Sequence, residues 1–176
     1  MNKRVLLGAV WTLVALMTLA APVSASVPIE VSGTYSLSGA TLQYLRWQPA
    51  GNNCQLDAGF AYPFEGDLEG SAVFHYSIMV HGPCTADVPP PQGLYDANLK
   101  AWGTFTGEVV GEPGTFDFTY EGREFPYGQP GDLALTARIV ILSGTEALAN
   151  LHGVVDVTYT VGDAFDSYSG RIHFDP

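Results

Sequence analysis

Basic residues are scarce in this sequence. Two lysines and five arginines stand against eighteen Asp and Glu, for a formal charge of −11 over 176 residues. A surface of that sign repels nucleic acid and anionic membranes; it suits solubility or the attraction of cations. Cysteine is nearly absent as well. Cys54 and Cys84 are the only two, in no Cys-x-x-Cys pair and beside no histidine cluster, which argues against thiolate zinc sites and reactive thiol pairs. HExxH, GxSxG, SxxK, the P-loop and a helix-opening GxGxxG are all missing. So is helical periodicity: only residues 144–153 (GTEALANLHG) could hold a helical turn, and the glycines at its ends keep it short.

The one long apolar run is N-terminal. Lys3 and Arg4 precede 17 apolar-rich residues, 5–21, and Pro22-Val23-Ser24-Ala25 supplies a small-residue cleavage site. This predicts a secretory signal peptide over 1–25, cut after Ala25, in preference to a retained anchor. Removing 25 residues from 176 leaves 151, a length that suits one domain, 26–176, with a sizeable core. Five basic residues and eighteen acids remain, for a charge of −13. The expected location is outside the cytoplasm, extracellular or periplasmic, with no membrane attachment after cleavage. In that compartment two cysteines read as a disulfide. If 56–64 and 71–80 form a hairpin about 65–70, mirror positions sum to about 135 and Cys54 faces position 81, close to Cys84.

What the chain has in quantity is alternation. In residues 102–122 (WGTFTGEVVGEPGTFDFTYEG) two runs with apolar and polar faces flank a Gly-Glu-Pro-Gly break, the mark of a hairpin with one buried side. The same period of two recurs at 29–37, 41–47, 55–64, 69–81, 133–141, 155–161 and 167–174, interrupted by a Pro-rich loop at 82–93. Eight or nine strands at hairpin spacing predict an all-β protein. Glycines on the apolar faces (Gly33, Gly103, Gly107, Gly170) favour an antiparallel, closed or nearly closed β-barrel of about eight strands over a sandwich.

Four phrases in order, EGDLEGSAVFHY, WGTFTGEVVGEPGTFDFTYEG, GTEALANLHG and SYSGRIHFD, resemble an uncharacterised bacterial domain-of-unknown-function family of the allene-oxide-cyclase-like barrel superfamily. The resemblance covers about residues 60–175 and rests on glycine and aromatic strand signatures. It implies a barrel related in shape to plant allene oxide cyclases and dirigent proteins, which handle apolar or aromatic molecules in the barrel cavity. No residue here matches their catalytic positions, so none is carried over.

Assigning strand faces gathers one set of candidates. Tyr35, Tyr44, Tyr76, Tyr120, Tyr159 and Tyr168 fall on apolar sides, and Arg46 accompanies Tyr44. Buried phenols need hydrogen-bond partners. The set is either a lumen lined by rings with polar tips, suited to a small hydrophobic ligand, or a filled core. Glu65, Asp67 and Glu69, like Asp163 and Asp166, are either a Ca²⁺-binding cluster or, as the neighbouring glycines favour, solvated. His75, His81, His152 and His173 read as surface or loop residues. No cofactor or metal is expected. The functional readings are a non-enzymatic binder of a small hydrophobic molecule or partner protein, an isomerase or cyclase acting by positioning its substrate, and a self-associating protein using Leu45, Trp47 and Trp102 on otherwise polar faces.

Overall fold

A computed structural model describes residues 27–36, 38–84 and 93–176; the expected signal peptide lies outside them. The strands are β1 Ile29–Tyr35, β2 Thr41–Ala50, β3 Asn53–Gly66, β4 Leu68–Val80, β5 Ala97–Val109, β6 Glu112–Glu124, β7 Leu133–Gly144, β8 Leu151–Thr160 and β9 Asp166–Phe174. One 3-10 turn, Glu146–Leu148, sits within 144–153. All neighbouring strands are antiparallel, in the order β1-β9-β8-β7-β6-β5-β4-β3-β2. A further pairing of β1 with β3 closes eight strands into a barrel and leaves β2 as an extra strand beyond the closure.

Local chemistry explains the register. Val110 and Gly111 both take positive φ, so β5 and β6 join by a two-residue turn that pairs Val109 with Glu112. β3 and β4 turn about Asp67 alone, and their partners sum to 134: Phe64 faces Gly70 and Cys54 faces Val80. Cys54 and Cys84 are disulfide-bonded, with Cα atoms 5.2 Å apart. The bond closes a loop of 30 residues, which stabilises the fold by roughly 3–4 kcal/mol on the chain-entropy account.

The barrel closes through three pairs only: Gly33 with Gly66, Thr34 with Glu65 and Tyr35 with Phe64. Beside them the Asp67 amide donates to the Ser32 carbonyl at 3.0 Å, and the Ser32 amide donates to the Asp67 carboxylate at 2.7 Å. β1 and β2 both run antiparallel to β3, along different stretches of one edge. Pro63 falls in the gap between them, where β3 does without a donor.

The inner faces grade from closed end to open end. Phe105, Phe116, Leu148, Leu151 and Ile172 fill one end, with the 3-10 turn laid across it. Phe74 occupies the middle, in ring contact with Phe64, Phe118, Tyr62, Tyr76 and Tyr120. Gly103 makes room for Phe118, since a side chain there would overlap that ring and the Val73 carbonyl. Towards the other end β4 continues from Phe74 to Tyr76, and β6 from Phe118 to Tyr120 and then to Glu124. Phenylalanine thus gives way to tyrosine and carboxylate as the core approaches water.

Candidate functional site

At the tyrosine end the packing stops short and leaves a cavity of about 170 Å³. Leu56, Phe60 and Tyr62 of β3, Tyr76 and Ile78 of β4, Leu99 of β5 and Leu135 of β7 form its apolar and aromatic walls. Tyr35 at the end of β1, Tyr120 and Glu124 on β6, Tyr159 on β8, Asp166 at the start of β9 and Tyr95 ahead of β5 supply the polar tips. Each arrives by strand parity. Glu124 is two steps beyond Gly122 and four beyond Tyr120 on the inward face of β6, and Asp166 is one inward step before Tyr168.

Burial sets the electrostatics. Asp166 is 4 % exposed and Glu124 3 %. Desolvation pushes the Asp166 carboxyl up to about 6, and the Tyr35 hydroxyl, hydrogen-bonded to it, pulls partly the other way. The Tyr35, Tyr62, Tyr76 and Tyr120 phenols are raised well above their ordinary range, chiefly by burial, and so stay neutral. They are linked to one another: Tyr62 hydrogen-bonds with Tyr76, and Tyr35 with Tyr120 as well as Asp166. Tyr95 at the rim is also raised by burial and by the Glu124 carboxyl to which its hydroxyl bonds. Around pH 6 Asp166 therefore passes between carboxylic acid and carboxylate inside a ring of neutral phenols.

Of the residues singled out by strand faces, Tyr35, Tyr76, Tyr120 and Tyr159 line this cavity. Tyr168 is buried elsewhere: its hydroxyl accepts from the Leu68 amide at 2.8 Å and donates to the Glu65 carbonyl at 3.1 Å, behind the closing seam. Tyr44 and Arg46 do not point inward. Gln43 is an extra residue in β2, between the Leu42–Phe60 and Tyr44–Gly59 pairs, and this bulge reverses the parity that alternation implied. Leu45 and Trp47 consequently share the inward side of β2, opposite Ala58 and Leu56, and Trp47 packs partly against the core. Tyr44, 42 % exposed, lies outside over Gly59 with its hydroxyl 3.4 Å from His75 Nδ1.

The expected solvation of Asp163 and Asp166 is corrected for Asp166, which strand parity carries inside; Asp163 is exposed. Glu65 and Glu69 are exposed as well, and Asp67 is taken up by Ser32. Sequence reasoning did not select Tyr62, Tyr95, Glu124 or Asp166 for the site. Extending the period of two by two steps past Tyr120 on β6, and by one step back from Tyr168 on β9, would have found the two acids.

Comparison with known proteins follows this geometry. No curated protein matches the chain. The crystal structure of a protein of unknown function from the DUF3224 family of Shewanella oneidensis MR-1 superposes with a TM-score of 0.58 at 16% identity, covering 85% of this chain and 100% of that one. At that identity the likeness speaks for the fold. The model of the family described as "Protein of unknown function (DUF3224)" matches residues 31–169, and the chain therefore belongs to the DUF3224 family.

Proposed function

We propose that this protein is an exported, non-enzymatic barrel that binds a small, mostly apolar molecule in the cavity at its tyrosine end. The observation that carries the reading is the cavity itself. Small barrels are ordinarily filled by their own side chains; here about 170 Å³ is left among Leu56, Ile78, Leu99, Leu135 and a set of rings. An apolar protein cavity of about 150 Å³ accommodates benzene, so the space suits a ligand of roughly one ring. Leu42 and Leu45, half-exposed on the inward side of β2, extend the apolar wall outward beside Phe60. Export is supported by the N-terminal signal pattern and by the disulfide, and no helix among the described residues is long and apolar enough to cross a membrane. The resemblance of the strand phrases to allene-oxide-cyclase-like barrels, which handle apolar molecules in their cavity, supports the same use of the interior.

Native mass spectrometry tests the reading. Incubated with one-ring apolar compounds, the protein should carry a one-to-one adduct, and an Ile78→Trp variant, which fills the cavity, should lose it. A bare protein mass across the whole panel overturns binding.

Two observations support other readings. The Asp166–Tyr35 pair can accept and return a proton at a bound molecule, which favours an isomerase or cyclase; turnover of a bound compound that is abolished in Asp166→Asn would decide for it. On the outer face Tyr44, His75 and Trp102 stand in a row across β2, β4 and β5 with successive ring centroids 6.1 and 5.8 Å apart, and Trp102 is 58 % exposed. Such a patch favours association of two copies. A monomeric profile in sizing chromatography overturns that reading.

A further inference from the structure

We propose that β2 is a docking edge for a second copy of this chain, the two β2 strands pairing antiparallel about Leu45 to join two barrels through one continuous sheet. The proposal is independent of the cavity and gives the self-association reading a definite seat. β2 is the last strand in the sheet order and pairs only with β3. Along Thr41–Ala50, ten residues, no strand lies against its other edge among the described residues. In an antiparallel ladder alternate residues aim amide and carbonyl at opposite neighbours, so β2 turns a row of unpaired donors and acceptors outward. Such a row is a template for another strand.

Sheets guard their edges with lysines, inward charges, prolines or very short strands. β2 is long, and its one charge, Arg46, lies on the outer side. Pro49 comes only at its end, and the Gln43 bulge leaves residues 44–50 in regular register. Leu42, Tyr44 and Leu45 are exposed. The remaining edge of β1 differs. There Gly33, Thr34 and Tyr35 lie against β3, and the Ser32 amide is bonded to Asp67. Only Ile29, Glu30 and Val31 are left, with Glu30 bonded to Arg171.

Charge and self-complementarity make a second copy the occupant. Acids outnumber basic residues 18 to 7 in the whole chain, so two copies repel over most of their surface. β2 contains no acid, and pairing there meets the least repulsion. Centred on Leu45, the pairing sets Leu45 against the partner's Leu45 on the inward side. On the outer side it sets Arg46 against the partner's Tyr44, twice over, a favourable cation–aromatic pair. Tyr44 leans from the edge over Gly59, which leaves Arg46 room to cross. Centring on Arg46 would oppose two guanidiniums. Centring on Tyr44 would set Arg46 against Leu42, which lies on the other side of the strand. Two such edges satisfy each other and leave none, so the product is a closed twofold dimer and not a fibre.

Sedimentation velocity on the whole protein from about 1 to 100 μM tests this. Wild type should pass from monomer to dimer. Leu45→Lys should weaken the dimer at least about tenfold with an unchanged urea midpoint, and Trp102→Ala, on the outer face, should change it less than about threefold. Under mild oxidation Leu45→Cys should form a disulfide-linked dimer. Gln48→Cys should not, because its two copies would stand six residues, about 20 Å, apart. A monomer throughout overturns both the edge and the self-association reading. A dimer that survives Leu45→Lys overturns the edge; if Trp102→Ala dissociates it instead, self-association stands on the outer aromatic row. Equal cross-linking by Gln48→Cys and Leu45→Cys also overturns the pairing about Leu45.

Discussion

Asp166 sets the clearest pH dependence in the molecule. Its folded-state pKa is raised to about 6, above the ordinary carboxyl value near 3.9, because burial disfavours the charge. The folded state thus holds this proton more tightly than the unfolded chain does. The group's contribution is most favourable below about pH 4 and is lost as pH rises through about 6. Asp166→Asn should therefore unfold at the same urea concentration as wild type near pH 4 and at a higher one near pH 8, by roughly 2–3 kcal/mol at most. Equal midpoints at both pH values would show that the carboxyl is not desolvated. A second residue-scale prediction concerns Tyr168, whose hydroxyl answers the buried Leu68 amide. Tyr168→Phe should cost about 1–3 kcal/mol by urea denaturation, since it leaves that donor unanswered. Gly33→Ala should cost at least as much, because a methyl there would overlap the Glu65 carbonyl and the same hydroxyl.

At the scale of elements, alternation alone placed the strands, because each has one wet and one dry face and a period of two records that directly. The β3–β4 register was legible to within one position, so the Cys54–Cys84 bond could be read before any coordinates. Replacing both cysteines with serine should lower the unfolding free energy by roughly 3–4 kcal/mol; a loss below about 1 kcal/mol would mean the unfolded chain is already constrained there. The faces of β2 were not legible. One residue of bulge at Gln43 turns the remaining side chains over, and nothing in TLQYLRWQPA marks where it falls. Both faces of that strand carry bulk, so pattern could not arbitrate between them. The acids of the site were missed for the opposite reason. A carboxylate at a strand end resembles a turn residue unless parity is carried through it, and Glu124 and Asp166 are the last and first residues of their strands.

At the scale of the whole molecule, the barrel follows from glycines on inward faces that let strands coil closely. The cavity does not follow from any local pattern. It depends on how far side chains from eight strands reach towards one axis, and that is decided only when the strands are assembled. The passage from phenylalanine at one end to tyrosine and carboxylate at the other is written in β4 and β6, yet it marks a polar end without saying whether the space there is full. The closing seam belongs to this scale too. Seven residues of β1 pair with β9, and three pair with β3. Amides at those three rungs should exchange with solvent faster than those in the β4–β5 or β5–β6 ladders; protection equal to theirs would refute a weak seam. Asp67→Ala, which removes the carboxylate bonded to the Ser32 amide, should speed that exchange further.

A hoop fastened by so few rungs is a split washer: it can spring at the cut while the rest stays round. The cut ends at Tyr35, which faces both Phe64 and Asp166 and borders the cavity. On the binding reading proposed above, a guest would pass in and out by parting that lip alone, and its residence time would answer to the fastening at Ser32 and Asp67.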